Sequence, residues 1–126
     1  MAGLMNILRR LFRPRKHKRY AALSGAFVVI GREVDGSKKI QILDISEGGL
    51  AFIYTGSPLD LEDEGMLSLL DGDTLCVDKV AFESVSDTAL SASYPDEEIR
   101  RIGLKFKWLG VLDQGKLKDY IRQNAA

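Results

Sequence analysis

The sequence predicts an all-β fold, a six-stranded antiparallel β-barrel with a C-terminal α-helix. From Ala26 onward, apolar and polar residues alternate and turn residues recur, which is the pattern of short strands. Asp-Gly turn signals join successive strands as hairpins. Because closure removes exposed strand edges, a barrel is favoured over an open sheet built from the same strands.

The first hairpin is centred on "EVDGSKK", whose Asp-Gly pair is typical of a tight turn. It predicts that a strand over 26–33 pairs antiparallel with a strand over 39–45. Gly48 and Gly49 then interrupt the chain, and we expect them to turn with positive φ. A short strand is expected to follow over 50–54.

A second hairpin is predicted in the middle of the chain. After a loop over 56–65 that is rich in Pro, Asp and Glu, "MLSLL" and "TLCVDKVAFESV" flank the turn signal Asp71–Asp73. Cys76 lies on the long second arm, where we expect a small buried strand residue.

The clearest alternation in the chain predicts a strand over 100–108 with one buried face. Its buried side chains would be Ile102, Leu104, Phe106 and Trp108. The acidic "YPDEE" that precedes the strand is expected to form the loop leading into it.

The last stretch, "DQGKLKDYIRQN", predicts a short helix packed on the sheet or over one barrel mouth. Asp113 can cap its start. Leu117, Tyr120 and Ile121 share one face of such a helix and would form its buried side.

At the other end, "MAGLMNILRRLF" places apolar residues at near-helical spacing, and Pro14 would stop a helix there. We expect a short amphipathic helix or tail over 1–14, packed on its own domain or on a second copy rather than on a membrane. Residues 15–25 would form a flexible arginine-containing segment, and residues 26–126 the barrel with its helix.

Charge is distributed unevenly along the 126 residues, although the net charge is zero. Residues 1–19 contain seven Lys or Arg and no acid, whereas the remaining 107 contain eleven basic and eighteen acidic residues. The single cysteine excludes an internal disulfide and fits a reducing compartment. No apolar run approaches the roughly 20 residues that cross a bilayer, so we expect a cytoplasmic protein that is a monomer or a homodimer.

Catalytic chemistry has little support in the sequence, which has one His, one Cys and no glycine-rich phosphate loop. His17 lies between lysines, with no neighbouring acid in the sequence to orient it as a base. Metal binding would need several ligands at workable spacing, and the sequence supplies no such set. We therefore expect neither an enzyme nor a metal protein.

Two short stretches suggest a ligand site instead. In "RKHKR", Arg15 and Arg19 are four residues apart, and two guanidinium groups on one side suit phosphate and guanine. In "DISEGG", Asp44 and Ser46 lie two apart on one strand face. A carboxylate accepts the N1–H and N2–H donors of guanine, and a hydroxyl can hold a phosphate or a base edge. Each stretch alone is equally typical of a solvated tail or an ordinary strand-to-turn sequence.

Together, Arg-x-x-x-Arg and Asp-x-Ser-x-x-Gly, with 24 residues between them, resemble the motif of the PilZ domain, a bacterial receptor module for cyclic di-GMP. "RIGLKF" is similar to a late strand of that family, and the resemblance covers residues 13–122. It implies a six-stranded barrel with a terminal helix and, as the ligand, cyclic di-GMP without a further cofactor. The ligand-binding residues that it implies are Arg15, Arg19, Asp44, Ser46 and Gly49, with Arg13 and Gly48 as additional candidates.

The resemblance also implies that the arginine segment wraps over the ligand and relays a signal to a downstream protein partner. Two other functions remain open: a PilZ-like protein-interaction module without a nucleotide, and a small barrel that binds single-stranded nucleic acid. The acidic body of the domain disfavours nucleic acid. So does the expectation that Phe52, Tyr54, Phe106 and Trp108 belong to the core.

Overall fold

A computed structural model describes residues 17–31, 39–56, 64–94 and 97–126. The elements are β1 (Tyr20–Ala21), β2 (Ala26–Ile30), β3 (Ile40–Ser46), β4 (Gly49–Gly56), β5 (Glu64–Asp71), β6 (Thr74–Tyr94), β7 (Glu97–Phe106) and α1 (Val111–Asn124).

The strands form one closed antiparallel barrel. Its six strands follow the order β2, β5, β6, β7, β4, β3, and β3 closes the ring by pairing with β2. The predicted six-stranded barrel with a C-terminal helix is therefore confirmed. Closure gives each of these six strands a neighbour on both sides, which is the physical advantage of a barrel over an open sheet.

The short strand β1 pairs with β3 on the same side as β2, further along β3. Tyr20 pairs with Ile45, and Ala21 pairs with Asp44. On its other side β1 meets the C-terminal residues, since the amide of Ala126 donates to the carbonyl of Ala21 at 2.8 Å. The segment that precedes the barrel is thus held between β3 and the end of the chain.

One apolar cluster fills the barrel and extends to the helix. Alternate side chains of the strands point inward, so that Val28, Ile42, Phe52 and Phe82 are almost fully buried. Burial of each such side chain stabilises the fold by about 1.5–3 kcal/mol relative to an exposed position. The buried members from the strands and helix are Ala26, Val28, Ile42, Ile45, Leu50, Phe52, Leu67, Leu69, Val77, Val80, Phe82, Ile102, Leu104, Phe106, Leu117, Tyr120 and Ile121.

The helix packs as its spacing predicts, with Leu117, Tyr120 and Ile121 buried. The Tyr120 hydroxyl donates to the carbonyl of Leu70 at 2.8 Å. Burial raises the pKa of this phenol above its usual range, because the phenolate would lose its hydration. The predicted cap was wrong: the N-cap is Gly110, which makes no side-chain bond, and Asp113 lies within the first turn.

The second hairpin is confirmed, with Asp71 paired to Thr74 across Gly72, whose φ is +59°. Both arms are longer than predicted, and Cys76 is only half-buried. The loop predicted at "YPDEE" also differs. Strand β6 runs to Tyr94 and β7 starts at Glu97, so most of "YPDEE" belongs to the strands.

The first hairpin is confirmed in its pairing, since Phe27 lies opposite Gln41 and Val28 opposite Ile40. Strand β2 ends at Ile30, however, because Gly31 turns the backbone with φ +122°. The predicted Asp-Gly turn lies outside the described residues. So do the helix predicted over 1–14 and the middle of the loop predicted over 56–65.

Trp108 corrects the prediction for the last strand. Phe52 and Phe106 are buried as expected and Tyr54 packs against the core, but Trp108 is 78% exposed and lies beyond the strand. The alternation continues in sequence past Phe106, the last residue that pairs with β6. After one more bond, from the Lys107 amide to the Ala81 oxygen at 2.9 Å, the chain leaves the barrel and leads into α1.

Candidate functional site

A groove of about 830 Å³ runs along the outer surface of β3, β4 and β7 and reaches the side of α1. It is open to solvent and has a volume within the roughly 300–1,000 Å³ that is common for small-molecule sites. Arg19, Asp44, Ser46, Gly48 and Gly49 all line it. The structure therefore brings together the described members of the two predicted stretches.

Charge in this groove is positive, in contrast with the acidic composition of the domain body. Five Lys or Arg and two acids are among its lining residues. The cations are Arg19, Arg101, Lys105, Lys107 and Lys118, and the acids are Asp44 and Glu47. A concave surface with an excess of cations concentrates anions, since low-dielectric walls focus the field.

Asp44 forms an ion pair with Arg101, with 3.1 Å between Oδ2 and Nη2. The two residues are 57 apart in sequence and lie on β3 and β7, on either side of β4. Between them, Ala51 pairs with both Asp44 and Gly103, and these small residues leave room for the arginine to cross β4. The side chains of Asp44 and Arg101 are 22% and 34% exposed. The arginine therefore orients the carboxylate while leaving part of it accessible.

Sequence analysis missed Arg101. Its position just before the strand residues "IGLKF" was visible, but no local pattern links it to Asp44. The two residues come together only in the folded barrel, where β3 and β7 both pair with β4.

Ser46 shapes the turn between β3 and β4. Its hydroxyl accepts hydrogen bonds from the amides of Gly48 at 3.1 Å and Gly49 at 3.2 Å. The side chain is 7% exposed. This is the side-chain-to-backbone bonding that serine commonly provides in turns.

Gly48 and Gly49 allow close packing and do not adopt a left-handed backbone conformation. Neither Gly48 nor Gly49 has a positive φ, so that expectation was wrong. A Cβ added to Gly49 would lie 2.1 Å from the backbone oxygen of Leu104, and one added to Gly48 would lie 2.7 Å from Cδ2 of His17. The first contact involves a neighbouring strand and the second a side chain, so Gly49 is the more tightly constrained.

His17 lies over this turn and has an acidic neighbour that the sequence did not reveal. Its Nδ1 is 3.8 Å from Oε2 of Glu47, and Lys118 on the helix approaches the same carboxylate at 3.8 Å. Glu47 therefore lies between a residue that precedes the barrel and a residue of α1. His17 is therefore a partly exposed residue at the groove and not part of a solvated tail.

Arg19 is exposed at the groove, one residue before β1. Among the residues that the structure describes, it has no ion-pair partner. The pairing of Tyr20 with Ile45 places this arginine near the end of β3 that carries Ser46. Arg13 and Arg15, the other predicted arginines, lie outside the described residues.

Lys107, at one side of the groove, has a pKa above its ordinary value. The ammonium of Lys107 donates to Oε2 of Glu64 at 3.0 Å, and this hydrogen bond raises the pKa of Lys107. Away from the groove, Lys39 lowers the pKa of Asp73 through a hydrogen bond and charge attraction. Neither shift marks a general acid or base within the groove.

Within the described ranges, no group of three or more His, Cys, Asp or Glu is placed to hold a metal ion. The helix that the structure describes is not long and apolar enough to span a membrane.

The fold and the groove define a small closed-barrel domain with a cationic surface site. A family model described as the PilZ domain matches residues 13–123. The chain therefore belongs to the PilZ domain family.

Solved structures agree in fold. The PilZ domain with c-di-GMP of YcgR from Escherichia coli matches with a TM-score of 0.63 and 15% identity, covering 88% of this chain and 91% of that chain. The K. pneumonia MrkH–c-di-GMP complex matches with a TM-score of 0.63 and 19% identity, covering 88% of this chain and 51% of that chain. This chain thus spans about half the length of that MrkH chain. No curated protein matches.

Proposed function

We propose that this PilZ domain is a non-enzymatic cyclic di-GMP receptor that binds the nucleotide in the groove and relays the signal through a changed surface or partner contact. The observation that carries the proposal is that Arg19 meets the stretch from Asp44 to Gly49 in one cationic groove. The YcgR and MrkH structures that contain c-di-GMP have the same fold.

Asp44 is the proposed guanine acceptor. An ionised carboxylate matches the N1–H and N2–H donors of guanine, and adenine presents no such pair of donors. Arg101 supports this role, because its single bond to Oδ2 fixes the carboxylate, and a carboxylate has further acceptor sites for the two guanine donors. Charge-assisted bonds of this kind contribute about 1.5–3 kcal/mol.

The arginines are the proposed phosphate ligands. Arg19 is exposed and without an ion-pair partner among the described residues, so an arriving phosphate would not have to displace a carboxylate. In the proposal Arg15, four residues earlier in the sequence, adds a second guanidinium fork, with Arg13 as an additional contact. Two forks on a doubly charged ligand favour bidentate phosphate binding.

Ser46 and Gly49 contribute shape to the proposed site. The Ser46 hydroxyl holds the amides of Gly48 and Gly49, which keeps the turn flat at the edge of the groove. Gly49 lets β4 approach β7 closely there. A bulkier side chain at Gly48 would displace His17 from the groove edge.

The relay is proposed to start at His17 and β1. A ligand held by the arginines would draw the chain before β1 toward the groove, and β1 is bonded to the C-terminal residues. Ordering of a short segment on an anionic ligand is a common switch, because the new contacts offset the lost chain entropy.

Calorimetric titration with cyclic di-GMP tests the proposal. We expect saturable binding that weakens about 10- to 150-fold in Arg19→Ala or Asp44→Ala, the equivalent of one charged hydrogen bond. Arg122→Ala and Asp119→Ala are matched controls, since both residues are exposed on α1 and pair with each other at 3.7 Å. Both controls should bind as the unmodified protein does.

Cyclic di-AMP and an RNA oligonucleotide complete the design. Weak or absent binding of cyclic di-AMP is expected, because adenine cannot satisfy the Asp44 carboxylate. Equal affinity for the two cyclic dinucleotides would refute the guanine assignment. A protein that gives no saturable signal with cyclic di-GMP would be an interaction module instead, and tight RNA binding would favour a nucleic-acid function.

A further inference from the structure

An exposed apolar patch lies where β7 leads into the helix. Trp108, Val111 and Leu112 are 78%, 85% and 82% exposed, whereas the next most exposed large apolar side chain among the described residues, Val85, is 59% exposed. We call these three residues the tryptophan patch. The helix buries its opposite face, so nothing in the described barrel covers them. Contiguous apolar surface of this kind usually marks a contact site.

We propose that residues 1–12 of the same chain dock on the tryptophan patch. In a helical conformation the apolar residues of this segment would share one face, with Asn6, Arg9 and Arg10 opposite. The apolar face consists of Leu4, Met5, Ile7, Leu8, Leu11 and Phe12. The segment therefore offers an apolar stripe that needs a partner, and the barrel offers an apolar patch that needs a cover.

The tether makes this contact geometrically accessible. The described chain begins at His17, which lines the same groove as Trp108. Residues 13–16 join the segment to His17, and four extended residues reach about 14 Å. A helix of 12 residues is about 18 Å long, so even a partly extended linker would let it lie across the groove edge.

The tether also favours the chain's own segment over a second copy. A linker of this length gives an effective concentration in the millimolar range, which is far above that of a protein in dilute solution. The proposal goes beyond nucleotide binding, and it is tested on the protein without nucleotide. A negative titration with cyclic di-GMP would leave it unaffected.

Trp108 is the single tryptophan of the chain, so tryptophan fluorescence shows whether this residue is covered. In the full-length protein without nucleotide, we compare emission and acrylamide quenching with those of the double variant Leu8→Ser, Leu11→Ser. Docking predicts a red-shifted maximum and a larger quenching constant in the double variant. Asn6→Ser, on the opposite side of the segment, is the matched control and should behave as the unmodified protein.

Hydrogen exchange tests the same contact with substitutions in the tryptophan patch. The double variant Val111→Ser, Leu112→Ser should lose amide protection over residues 4–12, and Leu75→Ser, an apolar-to-serine change on exposed β6 surface, should not. Equal quenching in the unmodified protein and the segment variant would overturn the proposal. Protection that disappears on dilution would also overturn it, in favour of a second copy.

Discussion

Gly49→Ala should destabilise the barrel although it adds only one methyl group. The new Cβ would lie 2.1 Å from the Leu104 oxygen, and real Cβ contacts essentially never fall below 3.0 Å. The backbones of β4 and β7 must therefore separate by about 0.9 Å at this point, and close-packed interiors resist such a shift. Overpacking of this kind costs about 1–3 kcal/mol.

The separation would also strain the bond from the Phe106 amide to the Gly48 oxygen, which is 2.9 Å long. Equilibrium urea unfolding followed by far-ultraviolet circular dichroism measures the loss. A lower midpoint with an unchanged slope would indicate a true stability change.

Gly115→Ala is the matched control, because it makes the same chemical change inside the exposed part of α1. Nothing lies within 4 Å of the added Cβ, so alanine should raise the free energy of unfolding by up to about 1 kcal/mol. The two substitutions are thus expected to have opposite signs. If Gly49→Ala left stability within about 0.5 kcal/mol of the unmodified protein, the close-approach reasoning would be refuted.

Three further outcomes are expected. The free energy of unfolding should fall as the pH rises above about 10, because Tyr120 ionises in the unfolded chain while burial keeps it neutral in the folded one. In unfolding titrations, Tyr120→Phe should flatten this decline and should lower the free energy of unfolding by about 1 kcal/mol at neutral pH. Arg101→Lys should weaken cyclic di-GMP binding by up to about tenfold in calorimetry, since an ammonium cannot orient Asp44 as the guanidinium does; unchanged affinity would exclude that role. Ala126→Pro removes the amide that bonds β1 and should cost about 0.5–1.5 kcal/mol of unfolding free energy, while Ala126→Ser should not.

Local signals explain what the sequence predicted correctly. The Asp-Gly-Asp turn and the alternation around it define the β5–β6 hairpin within a short stretch, and the spacing of Leu117, Tyr120 and Ile121 defines the buried face of the helix. Trp108 was misplaced because alternation describes one strand and does not show where its neighbours end.

The site was only partly accessible to sequence reasoning. The stretch from Asp44 to Gly49 is local, and the structure places it with Arg19 in one groove. Arg101 and the contact between His17 and Glu47 were missed, since each depends on strands or segments brought together by barrel closure. The proposed ligand roles remain predictions.

The pairing of β1 with β3 bears on how this site is recognised in other sequences. Tyr20 and Ala21 lie opposite Ile45 and Asp44, so cross-strand register aligns the arginine segment with the Asp-x-Ser-x-x-Gly stretch. The 24 intervening residues include β2 and its connection to β3, whereas the β1–β3 register is set by residues at the two ends of this interval. Homologues can therefore differ in the linear distance between the two halves of the motif and still align them. An insertion inside "DISEGG" would break the alignment at once.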